Sequence, residues 1–206
     1  MLVGVTGAIG AGKSTFARAL EALGARRVDA DAVAHQVLEL PAVKEKLRRS
    51  FGSAVLAADG TVDRAVLGPL VFAEDKARQR LEEIVRPFIE AQIRRETADH
   101  EGRVVVLDAP LIFEWGLQER YDCVVVVDAP EEIRLQRLAE RAGWSAAEAR
   151  RRQAAQLSAA EKRRRADLVV ENEGDPAALL AKARKVAATW GLPPRGSTGP
   201  THGKSI

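Results

Sequence analysis

The sequence predicts an α/β fold: a five-stranded parallel sheet flanked by helices, with a helical subdomain beside it and a small lid. Three observations carry this expectation. The runs Arg103–Leu107 and Cys123–Val127 are apolar apart from the opening arginine, as suits central strands covered on both faces. Both runs are followed by the same tripeptide, Asp108-Ala109-Pro110 and Asp128-Ala129-Pro130, so each places a carboxylate at its C-terminal edge. Helical periodicity fills the intervals between strand-like runs, and parallel strands need such crossovers.

In chain order, Leu2–Thr6 reads as a short buried strand closed by Gly7. Ser14 to Leu23 carries a helical pattern with Phe16, Leu20 and Leu23 on one side and Gly24 as its stop. Arg27-Val28-Asp29 is a weak second strand. From about Val33 to Gly102 there is no strand pattern but several helical ones, the longest over Glu74–Glu96. Its apolar residues are Leu81, Ile84, Val85, Phe88 and Ile89, and Pro87 is expected to kink it. This block exceeds what one crossover needs and reads as a helical insert. Asp167–Val170 is the fifth strand, followed by a helix from Pro176 to about Trp190. The expected division is one domain over 1–192, with a core of 1–34, 102–136 and 166–192, an insert of 35–101 and a lid of 137–165. Residues 193–206, rich in Gly, Pro, Ser and Thr, are expected to form a disordered tail.

The chain has 206 residues, 46% hydrophobic and 30% charged, which suits one globular domain rather than a disordered or fibrous chain. A net charge of +3 is compatible with phosphate-bearing ligands and too small to imply nucleic acid. The single cysteine, Cys123, excludes an intrachain disulfide framework and a cysteine-rich zinc site. No apolar run approaches the ~20 residues of a membrane-spanning helix, and the N-terminus lacks the pattern of a signal peptide. A cytoplasmic protein is expected, with no membrane association and no obligate protein partner in evidence.

The strongest signal is Gly7-Ala8-Ile9-Gly10-Ala11-Gly12-Lys13-Ser14, a full match to G-x-x-x-x-G-K-S/T with a strand before it and a helix after it. The glycines let backbone N–H groups curl around an anion, and the helix points its positive end at the same place. Gly10, Ala11, Gly12, Lys13, Ser14 and Thr15 are thereby ATP-binding candidates. Lys13 reaches the β- and γ-phosphates and the Ser14 hydroxyl is a Mg²⁺ ligand. The dinucleotide pattern G-x-G-x-x-G fails because Thr15 stands where the last small residue belongs.

A GTPase reads guanine with N-K-x-D. The chain's only asparagine lies in Asn172-Glu173-Gly174-Asp175, where Glu173 reverses the charge of the required lysine. A nucleic-acid motor could use Arg150-Arg151-Arg152 and Arg163-Arg164-Arg165, but three consecutive helical residues spread around the helix and make no single basic stripe. A small-molecule kinase fits better, since it needs an acceptor-side carboxylate, a helical acceptor-binding insert and an arginine-bearing lid. Asp29-Ala30-Asp31 ends the second strand. Asp31 is the candidate base, and either aspartate also suits a helix N-cap. Asp108 ends a central strand, where open α/β sheets bind ligands. Arg134, Arg137 and Arg141 recur at helical spacing, so at least one should reach the phosphates. Gly143 ends that helix, and Ser145 with Glu148 has the form of a capping box opening the lid helix.

Taken together, several segments resemble the dephospho-CoA kinase family. They are Thr6–Thr15; Asp29-Ala30-Asp31 with His35 four residues on; Leu81-Glu82-Glu83-Ile84 before Pro87; and Asp108-Ala109-Pro110-Leu111-Ile112-Phe113-Glu114. Gln136-Arg137 with Arg141, then Gln156, Lys162, Ala166-Asp167 and Asn172, match in order and spacing. The resemblance implies a P-loop, nucleotide-kinase-like fold with a CoA-binding helical subdomain. It implies transfer of the ATP γ-phosphate to the ribose 3′-hydroxyl of dephospho-CoA, the last step of coenzyme A synthesis. It further implies catalytic roles for Asp31, Lys13 and Arg141, ATP contacts from Arg137 and Asn172, and acceptor contacts from Asp31, His35, Asp108 and Glu114. Arg86 is a substrate-binding candidate by its own chemistry, as a guanidinium able to bind a substrate phosphate. Two positions depart from the family pattern: Ala8 replaces the second glycine of the loop, and Arg86 stands where a histidine is usual. On this reading the glycine cradle and the acidic pair face one another across a cleft.

Overall fold

The computed structural model describes residues 1–98, 100 and 102–192; the expected tail, 193–206, lies outside the described residues. Five strands form one sheet: β1 (Leu2–Thr6), β2 (Arg26–Asp29), β3 (Val105–Asp108), β4 (Cys123–Asp128) and β5 (Leu168–Glu171), in the order β2-β3-β1-β4-β5. The sheet is parallel. Val3 of β1 pairs with Val106 on one side and Cys123 on the other, and Val125 pairs with Leu168. β1 feeds β2 past the position later filled by β3, and the chain then crosses to β4 on the opposite side of β1. The strand order therefore reverses around β1, and the crevice outside the carboxyl ends of such strands is where open α/β sheets place ligands.

Every residue of β3 is buried, and so are the four valines of β4, which accounts for their unbroken apolar character. The first helix, α1 (Lys13–Ala22), buries Phe16, Ala17 and Leu20. These side chains pack with Val3, Val5, Val106, Val125 and Val127 into one cluster on one face of the sheet. Leu179, Ala183 and Ala187 of the C-terminal helix (Pro176–Thr189) complete the cluster. Gly24, at φ 106, turns the chain out of α1, and the Ala25 N–H closes on the Leu20 carbonyl at 3.1 Å. The strand expected from Arg103 starts two residues later, at Val105. Val104 lies ahead of it as a buried residue whose carbonyl accepts from the Arg26 N–H at 2.9 Å.

The chain divides into two compact units, one of Met1–Val28 with His100–Ile206 and one of Asp29–Asp99. The second unit holds α2 (Ala30–Leu38), α3 (Pro41–Phe51), α4 (Arg64–Ala73) and α5 (Asp75–Thr97) around Val33, Val37, Val43, Leu47, Leu67 and Ile89. It begins at Asp29 rather than at 35 because α2 starts immediately after β2: Asp29 caps it, its side chain accepting from the N–H groups of Asp31 and Ala32. α5 runs uninterrupted through Pro87. Val85, Ile89 and Ile93 are buried on both sides of the proline and hold the two halves in one element. No helix among the described residues is long and apolar enough to cross a membrane.

In the first unit the chain continues with α6 (Glu131–Ala142), α7 (Ala146–Ala154), α8 (Ala159–Arg165) and the C-terminal helix, now α9. Gly143, at φ 66, caps α6, and the Ser145 hydroxyl accepts from the Glu148 N–H at 3.2 Å to open α7.

Phe16 is fully buried where α1 meets the sheet, so truncating it leaves a cavity that backbone relaxation fills only in part. Phe16→Ala should lower the unfolding free energy by ~3–5 kcal/mol, measured by urea denaturation followed by circular dichroism.

Candidate active site

The loop between β1 and α1 is built by close approach. A Cβ on Gly7 would lie 2.2 Å from the Val127 carbonyl oxygen, so only glycine lets the loop leave β1 this close to β4. Gly12, at φ 95, is the N-cap of α1, and a Cβ there would lie 2.2 Å from Asn172 Nδ2. No side chain caps α1, so the N–H groups of its first turn have no intrahelical acceptor and remain donors toward an anion.

The loop carbonyls are tied on the other side. Asn172 Nδ2 donates to the Ala11 carbonyl at 2.8 Å. Arg137 Nη1 donates to the Gly10 and Ala11 carbonyls at 3.2 and 3.3 Å, and its Nη2 to Asn172 Oδ1 at 3.1 Å. Asn172 is buried, anchored by its own N–H to the Asp128 carbonyl at 2.7 Å. Burial, and secondarily the neighbouring Arg141 guanidinium, lower the Arg137 pKa from its ordinary value. Both residues expected to touch ATP are thus seated on the phosphate loop itself. Arg141 lies in the last turn of α6 and is exposed.

Beneath the loop lies a charge cluster. Lys13 pairs with Asp108 and lies 3.4 Å from the Ser14 hydroxyl. Asp108 is 1% exposed, and Arg27 donates to its other oxygen from Nε and Nη2 at 3.3 and 3.1 Å. Just beyond β3, Lys162 is completely buried. Its Nζ donates to the Pro110 carbonyl at 2.7 Å and pairs with Glu114 at 3.0 Å. The Thr6 hydroxyl donates to the same Pro110 carbonyl at 3.1 Å. Burial lowers the Lys162 pKa, and the Glu114 carboxylate works against that shift. Glu114 Oε1 also accepts from the Leu157 N–H at 2.9 Å, tying the segment before α8 to the end of β3. A cleft of about 430 Å³ opens beside the loop, lined by Ala8, Ile9, Arg134, Gln153, Leu157 and Ser158 among others. Ala8, in the place of a second glycine, is part of that lining.

The remaining candidates belong to the second unit. Asp31 sits in the first turn of α2 and His35 one turn later, both exposed. Asp29 takes the capping role, and no hydrogen bond to the Asp31 carboxylate is found among the described residues. Arg86 pairs with Glu90 on α5 at 2.6 Å. Arg27 was missed by sequence reasoning because an arginine in a weak strand carries no local signal. Lys162 falls among the residues of the family resemblance, yet nothing in its basic surroundings marks it as buried. Its three neighbours Arg163, Arg164 and Arg165 pair with Asp128, Glu171 and Glu161, and Arg150, Arg151 and Arg152 pair with Glu131 and Glu148.

A parallel sheet with its strand order reversing at β1, an anion-cradling loop at the end of β1 and a lysine on that loop define a P-loop nucleotide-binding protein. A sequence model of the dephospho-CoA kinase family matches residues 1–177. The dephospho-CoA kinase of Anaeromyxobacter dehalogenans is 47% identical over 91% of this chain and 90% of its own. Among solved structures, a Thermus thermophilus protein superposes with a TM-score of 0.80 at 36% identity, over 92% of this chain and 97% of its own. The Campylobacter jejuni dephospho-CoA kinase superposes with a TM-score of 0.70 at 31% identity, over 92% of this chain and 96% of its own. The chain belongs to the dephospho-CoA kinase family, ATP-dependent transferases that phosphorylate a hydroxyl group.

Because the Lys162 pKa is depressed in the folded protein, the folded state gains stability as pH rises toward the ordinary 10.5 and loses that gain as pH falls through the depressed value. The Lys162 amine should titrate below 10.5 in a heteronuclear NMR titration. Glu114→Gln, by removing the opposing charge, should move the midpoint lower still. An upward movement in that variant contradicts the assignment.

Proposed function

We propose that the chain phosphorylates the ribose 3′-hydroxyl of dephospho-CoA with ATP by the following division of labour. The family match across residues 1–177 carries the choice of substrate, and the phosphate loop carries the chemistry. ATP lies with its β- and γ-phosphates in the cradle of Gly10–Thr15. Lys13 and Arg141 neutralise charge on the transferring phosphoryl group. Asp31 orients the acceptor hydroxyl and takes its proton. Its exposure and the absence of a competing hydrogen bond among the described residues leave the carboxylate available for that role. His35, Arg86, Asp108 and Glu114 are assigned to the acceptor side. Arg137 and Asn172 serve ATP through the loop they hold.

Phosphoryl transfer passes through a loose transition state, so positioning and charge neutralisation supply most of the acceleration. The Ser14 hydroxyl, in the first turn of α1, is the protein ligand we assign to Mg²⁺. No group of three or more His, Cys, Asp or Glu among the described residues is placed to hold a metal. A hydroxyl is a hard oxygen donor of the kind Mg²⁺ accepts alongside substrate phosphates and retained water. Held by the Ser14 hydroxyl, the ion would supply positive charge to offset the charge that develops during transfer. We assign the protein to the cytoplasm.

A coupled ADP-release assay across dephospho-CoA, AMP, dTMP and adenosine tests the substrate, and turnover should be efficient with dephospho-CoA alone. Comparable turnover with a nucleoside or nucleotide would redirect the assignment to another P-loop kinase. In the same assay Asp31→Asn should lower kcat by ~10²-fold or more, the usual scale of general-base catalysis. Near-normal turnover in that variant removes Asp31 from the role.

A further inference from the structure

Asp108 is an almost completely buried carboxylate with two cations on it. Lys13 holds one oxygen, while Arg27, the second residue of β2, holds the other through Nε at 3.3 Å and Nη2 at 3.1 Å. We propose that Arg27 is a positioning residue for phosphoryl transfer. It keeps Asp108 oriented and neutralised, so that Lys13 can exchange that carboxylate for the phosphate oxygens of ATP. The inference rests on the reading of the Gly7–Ser14 loop as the ATP site.

The charges set the logic. Two cations share the Asp108 carboxylate, so Lys13 can leave it for a nucleotide while Arg27 keeps it paired. Lysine suits the moving part, because its ammonium is a compact point charge on a flexible four-carbon stem. The Ser14 hydroxyl, itself part of the loop, lies 3.4 Å from Nζ. Arginine suits the fixed part, because its planar guanidinium directs two N–H groups at one oxygen. With Arg27 absent, a Lys13 that moved onto phosphate would leave Asp108 buried and unpaired, an outcome proteins strongly disfavour. Lys13 would then be retained by Asp108, and ATP would compete with a buried carboxylate for it.

The experiment is a double-mutant cycle on the full chain, read as the Kd for ATP in excess magnesium by isothermal titration calorimetry. Arg27→Met should weaken ATP binding by ~10-fold or more, the scale of losing hydrogen bonds to a charged group. In the Asp108→Asn background, where no buried anion retains Lys13, the same Arg27→Met change should have no effect on Kd. Arg27→Lys, which restores the charge without the fork, should recover part of the loss. A purely structural role for Arg27 predicts the same deficit in both backgrounds, and that result overturns the proposal, as does wild-type affinity in Arg27→Met. Should Arg27→Met not fold, the cycle is run with Arg27→Lys, which must weaken binding in the wild-type background and not in Asp108→Asn. Wild-type protein that binds no ATP overturns the ATP-site reading as well, whereas failure of the cycle with ATP bound overturns the role of Arg27 alone.

Discussion

A trans peptide points its N–H and its C=O in opposite directions. A loop that presents its N–H groups to an anion must therefore turn its carbonyls the other way and find donors for them there. In this protein those donors are Asn172, at the end of β5, and Arg137, on α6, which between them take the carbonyls of Gly10 and Ala11. Much of the surrounding structure follows from this. Gly12 must be glycine because Asn172 occupies the space of its side chain. β5 must pair beside β4 to bring Asn172 under the loop, and α6, whose Arg134 and Leu138 lie against Gly10, brings Arg137 there. The cradle is held in shape by the tertiary structure around it.

Placing charge beneath the cradle has a cost that the fold meets by pairing. Asp108 and Lys162 are buried at the end of β3 and just beyond it, where an isolated charge would be strongly unfavourable. Each is matched: Asp108 by Lys13 and Arg27, Lys162 by Glu114 and the Pro110 carbonyl. The segment Asp108–Glu114 is thereby fixed at one end to the phosphate loop and, through Glu114 and the Leu157 N–H, to the start of α8 at the other. The helices that follow the phosphate-bearing edge are in this way connected to the strand ends rather than attached only through their loops.

The two arginine triplets show how little a run of like charge says alone. In the structure all six arginines find carboxylates on their own or neighbouring elements, and the runs become ordinary solvated helix faces. The capping aspartate makes the complementary point. Two carboxylates two residues apart both suited the cap, with Asp31 the candidate base, and the backbone geometry at the end of β2 gives the cap to Asp29.

What the sequence determined by itself is what local physics controls. The loop Gly7–Ser14 is contiguous, so its glycine spacing, lysine and hydroxyl were legible at once. The buried strands announced themselves because both faces demand apolar residues, and the stops at Gly24 and Gly143 and the cap at Ser145 depend only on neighbours within a turn. What the tertiary structure alone decided are the partnerships across long separations: Arg27 with Asp108, Arg137 and Asn172 with Gly10 and Ala11, Lys162 with Pro110. No pattern along the chain encodes these, because a buried polar group needs a partner in space. Which residue becomes that partner is settled only when the strands have been ordered and the helices laid upon them.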